Sequence, residues 1–167
     1  MRPTTKKIAV LGLCTAVALI LAYVESMLPP LFHAVPGIKI GLPNIIIVFV
    51  LYRFGFREAA VVSLIRMLAV SFMFGNMMAL VYSLAGSFLS MLVMVILKKL
   101  NFLSVVGVSV AGGVLHNVGQ ILAAMLLLGT AELGYYLIVL AITGTISGIF
   151  VGLCGAIIVK RIPKKLI

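Results

Sequence analysis

Long apolar stretches fill almost the whole chain and are separated by short basic clusters. Six such stretches cover residues 8–28, 43–54, 59–74, 77–97, 102–128 and 133–159. Of the 167 residues, 64% are hydrophobic and the mean hydropathy is +1.35, far above the values of a soluble domain. Because a helix needs about 20 apolar residues to cross a bilayer, the sequence predicts an all-α membrane protein, a six-helix transmembrane bundle in a single domain over residues 1–167.

The positions of the basic residues predict the orientation of this bundle. Most of the 13 lysines and arginines lie at the chain ends or after every second stretch: Arg2, Lys6, Lys7, Arg53, Arg57, Lys98, Lys99, Lys160, Arg161, Lys164 and Lys165. The opposite boundaries carry only Lys39 and Glu132. By the positive-inside rule, this predicts a multi-pass protein of the cell membrane with both termini in the cytoplasm. The net charge of +10 then favours contact with the lipid bilayer and its anionic headgroups over nucleic acid.

Acidic residues are scarce, and this excludes whole classes of chemistry. The chain contains no aspartate, and its three glutamates are spread along it: Glu25 in the first stretch, Glu58 just before the third and Glu132 just before the sixth. Magnesium-dependent chemistry on diphosphates needs clustered carboxylates, and a GxxxxGK[ST] phosphate-binding loop is also absent. Cys14 and Cys154 form no metal-binding pattern. The sequence therefore predicts a protein that is not an enzyme, holds no metal or cofactor and cannot hydrolyse ATP by itself.

The second apolar stretch is too short to cross a membrane. Its 12 residues would form a helix about 18 Å long, and residues 29–42 before it are broken by prolines and glycines. Irregular backbone at membrane depth is tolerated only where protein buries it or where it lines a cavity. We therefore expect an irregular outer loop that covers an outward-facing cavity. A loop that lies along the lipid surface is the alternative.

Polar residues inside the apolar stretches indicate where a ligand would bind. Arg66 lies in the middle of the third stretch, where a lone charge costs at least about 2.5 kcal/mol. His116 and Gln120 are one turn apart on one helical face, next to Asn117. With the predicted orientation, these residues share one layer with four others, so we expect a substrate-binding site formed by Lys39, Asn44, Arg66, Asn76, Tyr82, His116, Asn117 and Gln120.

A purely structural role is the alternative for each of these polar residues. Their side chains would then bond to one another across helices, at somewhat under ~1 kcal/mol per pair. For Arg66, the alternative is an ion pair with Glu25 near the outer end of the first stretch.

Small residues at four-residue spacing indicate close helix packing. Gly144, Gly148 and Gly152 predict internal packing of the sixth stretch. Ala18 and Ala22 have the same spacing in the first stretch, and they fit either the bundle's own packing or contact with a helix of a partner.

Four segments of the sequence together resemble a known family. They are Pro-Gly-Ile-Lys-Ile-Gly-Leu-Pro-Asn-Ile at 36–45, Gly-Asn at 75–76, Ser-Leu-Ala-Gly-Ser at 83–87 and Gly-Val-Leu-His-Asn-Val-Gly-Gln at 113–120. Over nearly its whole length the chain resembles the Gx transporter family, whose members are often labelled heptaprenyl diphosphate synthase component I. That family is similar to the S components of energy-coupling-factor (ECF) transporters.

This resemblance implies a fold, a function and partners. S components are six-helix proteins that work with a transmembrane T component and two cytoplasmic ATPases, and they close a loop between the first two helices over their ligand. The chain would thus capture a small ligand from the outer side for uptake, and Ala18 and Ala22 would contact the T component. Arg66 and Lys39 favour an anionic ligand, and the family's associations add isoprenoid-like or flavin-like ligands.

Two other functions remain open at this point. One is a non-transporting membrane subunit associated with polyprenyl diphosphate (quinone) biosynthesis or with flavin-based electron transfer. Catalysis by the chain itself fits poorly, because prenyl chain-elongating enzymes rely on aspartate-rich motifs. The other is a self-sufficient channel or proton-coupled carrier that would use Glu25 and His116.

Overall fold

The described chain is entirely helical. A computed structural model describes residues 5–28, 40–74 and 77–162, and within these ranges it contains no strand. The helices are α1 (Thr5–Met27), α2 (Asn44–Arg53), α3 (Phe56–Phe74), α4 (Met77–Leu100), α5 (Val105–Leu128) and α6 (Leu137–Arg161), with a 3₁₀ helix (Ala131–Tyr136) before α6. Each predicted stretch therefore corresponds to one α-helix, to within a few residues at the ends.

Four segments are long and apolar enough to cross a membrane. They are α1, α4, α5 and the segment Ala131–Arg161, which joins the 3₁₀ helix to α6. α3 is also long, but it carries Arg57, Glu58 and Arg66, and the ten residues of α2 extend only about 15 Å. The protein is thus an all-helical membrane protein with four candidate spans. That α2 and α3 also belong to a six-helix transmembrane bundle stays a prediction.

The short helix α2 forms the centre of the hydrophobic core. Seven consecutive residues, 45–51, are each at most 8% exposed. A helix that is apolar on every side is stable only when other helices surround it, and α2 packs against α1, α3 and α6. The prediction of a short second helix at 43–54 is confirmed, with boundaries one residue shorter at each end.

Two basic side chains donate hydrogen bonds to backbone carbonyls at the carboxyl ends of α2 and α6. Lys98 Nζ donates to the carbonyl of Leu51 at 2.6 Å and lies 5.1 Å from the ring centre of Tyr52. Arg53 Nη2 donates to the carbonyl of Val159. The last four carbonyls of a helix lack partners within that helix, so these bonds satisfy α2 and α6. They also bring Arg53, Lys98 and the end of α6 together at one end of the bundle, which we call the basic end.

The helix α1 packs on α3 and α2 through its small residues. Ala18 is 0% exposed and Ala22 is 6% exposed, and Lys7 forms an ion pair with Glu58 at the start of α3. A residue that its own chain covers has no surface left for a partner. The placement of Ala18 and Ala22 therefore favours internal packing over the partner contact that the resemblance implied.

Glycines allow α5 and α6 to approach closely. A Cβ atom added to Gly148 would lie 2.6 Å from Val110 Cα, and one added to Gly152 would lie 2.7 Å from Val106 Cα. Both distances are shorter than two carbon atoms can tolerate. Gly144 likewise faces Gly113, with 3.0 Å between its added Cβ and the Gly113 carbonyl oxygen. The prediction that the glycines of the sixth stretch serve internal packing is confirmed.

We expect Gly148→Ala to destabilise the bundle by about 1–3 kcal/mol, because α5 and α6 would have to move apart. The matched control is Gly12→Ala on α1, where an added Cβ meets no atom within 4 Å. Thermal unfolding of the purified proteins in detergent checks this. An equal midpoint for the two variants would contradict the close packing of α5 and α6.

Candidate functional site

A cavity opens between the helices at the end of the bundle opposite the basic end. We call it the upper cavity; its volume is about 230 Å³, and α1 and α3 to α6 surround it together with the start of α2. Six of the eight predicted binding residues line it: Asn44, Arg66, Tyr82, His116, Asn117 and Gln120. Lys39 and Asn76, and residues 29–39 of the predicted outer loop, lie outside the described residues. The structure brings these six side chains together, and their binding of a ligand stays a prediction.

Arg66 presents a positive charge to the upper cavity that the described residues leave unpaired. Its Nε is buried without a hydrogen-bond partner, and in the described part of the chain no ion pair joins its guanidinium to a carboxylate. Glu25 lies on the same cavity and attracts Arg66 only from a distance. The structure therefore does not contain the direct Arg66–Glu25 pair that was the alternative. An unpaired buried charge is costly, so an anion in this cavity would be stabilised.

The Glu25 carboxylate instead fixes the start of α2. Its Oε1 accepts hydrogen bonds from the backbone N–H groups of Gly41 and Leu42, the latter at 3.3 Å. Gly41 has φ +81°, a conformation that L side chains rarely adopt. The backbone N–H of Asn44 in turn donates to the Gly41 carbonyl at 2.9 Å. Glu25 thus positions Asn44 on the cavity wall, a role that sequence reasoning missed.

Gly86 on α4 allows the polar face of α5 to pack closely against α4. A Cβ atom added to Gly86 would lie 2.8 Å from Gln120 Cγ and 3.2 Å from His116 Cε1. The backbone carbonyl oxygen of His116 would be closer still, at 2.6 Å. Only a residue without a side chain at position 86 lets both side chains sit beside α4, so Gly86 shapes this wall of the upper cavity.

Asn117 has a structural role as well as a place on the cavity. Its Nδ2 donates to the Leu140 carbonyl on α6 at 2.7 Å. The alternative of a purely structural hydrogen bond between helices therefore holds for the side-chain NH₂ group of Asn117. The Oδ1 atom of Asn117 is not used in that bond and is free to accept a hydrogen bond.

Among the described residues, the upper cavity combines the Arg66 cation and the backbone-bonded Glu25 carboxylate with neutral hydrogen-bonding groups and apolar walls. Tyr82, Ser71 and Ser83 add hydroxyl groups, and Met67 and Val70 add apolar surface. No group of three His, Cys, Asp or Glu side chains that could hold a metal occurs among the described residues. This set of groups suits the binding of a small organic anion.

A second, smaller cavity adjoins the upper cavity on the side of the basic end. We call it the deep cavity; its volume is about 40 Å³, and it shares Asn44, Gly113, His116 and Ser147 with the upper cavity. Five serines from four helices line it: Ser63, Ser87, Ser90, Ser109 and Ser147. Sequence reasoning did not predict this cavity, although Ser83, Ser87 and Ser90 share one face of α4.

One comparison with known proteins gave a match. The sequence model of a family described as heptaprenyl diphosphate synthase component I matches residues 14–158. The matched region includes every described residue of the two cavities. Neither a curated protein nor a solved structure matched the chain.

We expect Glu25→Ala to release the backbone at the start of α2. Loss of the carboxylate removes the acceptor for the Gly41 and Leu42 amides, and hydrogen bonds to charged groups contribute about 1.5–3 kcal/mol each. Hydrogen exchange of a peptide that covers 40–44 should therefore become at least about tenfold faster. Glu132→Ala, outside both cavities, is the control, and unchanged exchange in Glu25→Ala would show that the carboxylate does not hold this segment.

Proposed function

The chain belongs to the heptaprenyl diphosphate synthase component I family, also described as the Gx transporter family, and from this premise we propose that it is the substrate-binding component of a membrane transporter. In this proposal the upper cavity captures a small anionic ligand from the outer side of the cell membrane. Both termini lie in the cytoplasm, as the distribution of basic residues predicts.

The observation that carries this proposal is the unpaired guanidinium of Arg66. It lies in the middle of α3 and lines a cavity large enough for a small molecule. The carboxylate of Glu25, which lines the same cavity, bonds to backbone N–H groups instead. A ligand that brings a negative charge would offset the cost of burying this cation. Neutral groups on Tyr82 and Gln120 would then orient it.

Energy for uptake would come from partner proteins. The sequence contains no phosphate-binding loop, so the proposal assigns ATP hydrolysis to two cytoplasmic ATPases and coupling to a transmembrane T component, by the resemblance to ECF transporters. Since Ala18 and Ala22 are buried, the T component would contact other residues of α1 or the exposed apolar faces of other helices.

We expect Arg66→Ala to lower the affinity for the native ligand at least about tenfold, because an ionic hydrogen bond contributes 1.5–3 kcal/mol. Stability should stay the same or rise, since no described partner of Arg66 is lost. Native mass spectrometry of protein freshly extracted from its own membranes measures the bound fraction, and thermal unfolding measures stability.

The matched control is Arg57→Ala, which removes an exposed arginine from the first turn of the same helix. It should leave both measurements unchanged. If Arg66→Ala instead unfolds the protein while the bound fraction per folded molecule stays constant, Arg66 is structural and the proposal fails.

A second candidate function is a non-transporting subunit that holds an isoprenoid diphosphate. It is supported by a groove of about 260 Å³ between α3 and α4, lined by the exposed side chains of Phe56, Leu64, Phe88 and Leu92. This groove shares Met67 with the upper cavity. An isoprenoid chain in the groove would place its diphosphate near Arg66.

Affinity purification from native membranes separates the two functions. We expect co-purification of a T component and two ATPases in roughly equal amounts with the chain. Recovery of a prenyl diphosphate synthase without those three proteins would instead support the second candidate.

A further inference from the structure

The deep cavity contains buried hydroxyl groups that the protein itself does not satisfy. Ser63 is 4% exposed, Ser90 is 7% exposed and Ser109 is 3% exposed, and they belong to α3, α4 and α5. Within the described part of the chain, these three hydroxyls form no hydrogen bond, and their oxygens are accessible from the deep cavity rather than sealed in the protein. Buried polar groups are almost always hydrogen-bonded, so water or a ligand must supply their partners.

The deep cavity adjoins the proposed binding site. Asn44 and His116 line both cavities, so a ligand held at Arg66 would have to pass between these two residues to reach the serine-lined space. A volume of about 40 Å³ corresponds to about three water molecules. The space therefore accepts a group of only a few atoms.

A glycine keeps this space open. A Cβ atom added to Gly112 would lie 2.6 Å from Met94 Sδ and 3.2 Å from Ser90 Oγ. Any side chain at position 112 would therefore occupy the place where Ser90 and Met94 border the cavity.

The groups around the deep cavity select the chemistry of its occupant. No charged side chain lines it, so neither an anion nor a cation would gain an ionic partner there. An apolar group would bury the three hydroxyls without partners, which is unfavourable. A hydroxyl, carbonyl or amide group both donates or accepts hydrogen bonds and is small enough to enter.

We propose that the deep cavity is a second subsite that binds the neutral, hydrogen-bonding end of a ligand whose anionic group lies at Arg66. The proposal rests on the proposed function and narrows its substrate class to compact organic anions with a hydroxyl or amide group at the far end. A ligand whose far end is a hydrocarbon chain does not fit this subsite.

Matched synthetic probes test this inference without knowledge of the native ligand. The probes are ω-hydroxyalkyl phosphates with three to six carbons, each compared with the alkyl phosphate of equal heavy-atom count, such as 4-hydroxybutyl phosphate with pentyl phosphate. Binding is measured by calorimetry on the full chain in lipid nanodiscs, after any native ligand has been removed by dialysis.

We expect at least one hydroxylated probe to bind about tenfold more tightly than its alkyl counterpart, because it satisfies buried hydroxyls that the alkyl chain leaves unpaired. Ser90→Ala and Ser109→Ala should each lower this preference severalfold. Thr145→Val is the control, since the Thr145 hydroxyl bonds to the Ala141 carbonyl at 2.8 Å and lines neither cavity. It should leave the preference unchanged.

Each other outcome overturns a defined part of the inference. Equal affinity for the paired probes, or a preference that survives both serine substitutions, shows that the deep cavity is not a polar subsite. If alkyl phosphates still bind and Arg66→Ala abolishes that binding, the proposed anion site stands while the second subsite fails. If the hydroxyl preference is present and Arg66→Ala changes no affinity, the anion site fails. Absence of binding by every probe at millimolar concentration overturns both.

Discussion

The length of α2 sets the shape of the whole bundle. At the basic end, Lys98 and Arg53 hold α2 against α4 and α6, and ten residues extend only about 15 Å from there. The other end of α2 therefore stops at middle depth, where the chain must enter the bundle as irregular backbone. Such backbone needs polar partners, and Glu25 supplies one. The space that α2 does not fill becomes the upper cavity.

The scarcity of carboxylates then decides the electrostatics of that space. Glu58 pairs with Lys7 at the start of α3, and Glu25 bonds to the backbone before α2. Neither carboxylate is left to pair directly with Arg66. Because burial magnifies the cost of an unpaired charge, the guanidinium of Arg66 would gain from an anion in the cavity, while the Glu25 carboxylate on the same cavity already has backbone N–H partners. The proposed selectivity for anions thus depends on Glu58 and Glu25 having partners other than Arg66.

The sequence predicted the helices and the depth of each polar residue, but not how each helix is rotated about its axis. Apolar length located every helix, and the alternation of basic clusters placed Asn44, Arg66 and His116 in one layer. The rotation of each helix about its axis could not be predicted in this way, because side chains that face lipid and side chains that face the core are equally apolar. Ala18 and Ala22 therefore fitted two interpretations, and their burial favours internal packing. The deep cavity was missed for the same reason, since Ser63, Ser90 and Ser109 meet only when three helices take particular rotations.

Polar contacts near the two ends of α1 differ in strength. At the basic end, the Lys7–Glu58 pair is part-exposed, and such pairs contribute only about 0–1 kcal/mol. At the other end, the Glu25 carboxylate holds two backbone amides beside the upper cavity, an arrangement of the stronger, charge-assisted kind. The Lys7–Glu58 pair therefore costs less free energy to break than the Glu25 contacts, while the buried Ala18 and Ala22 keep the middle of α1 packed in the bundle.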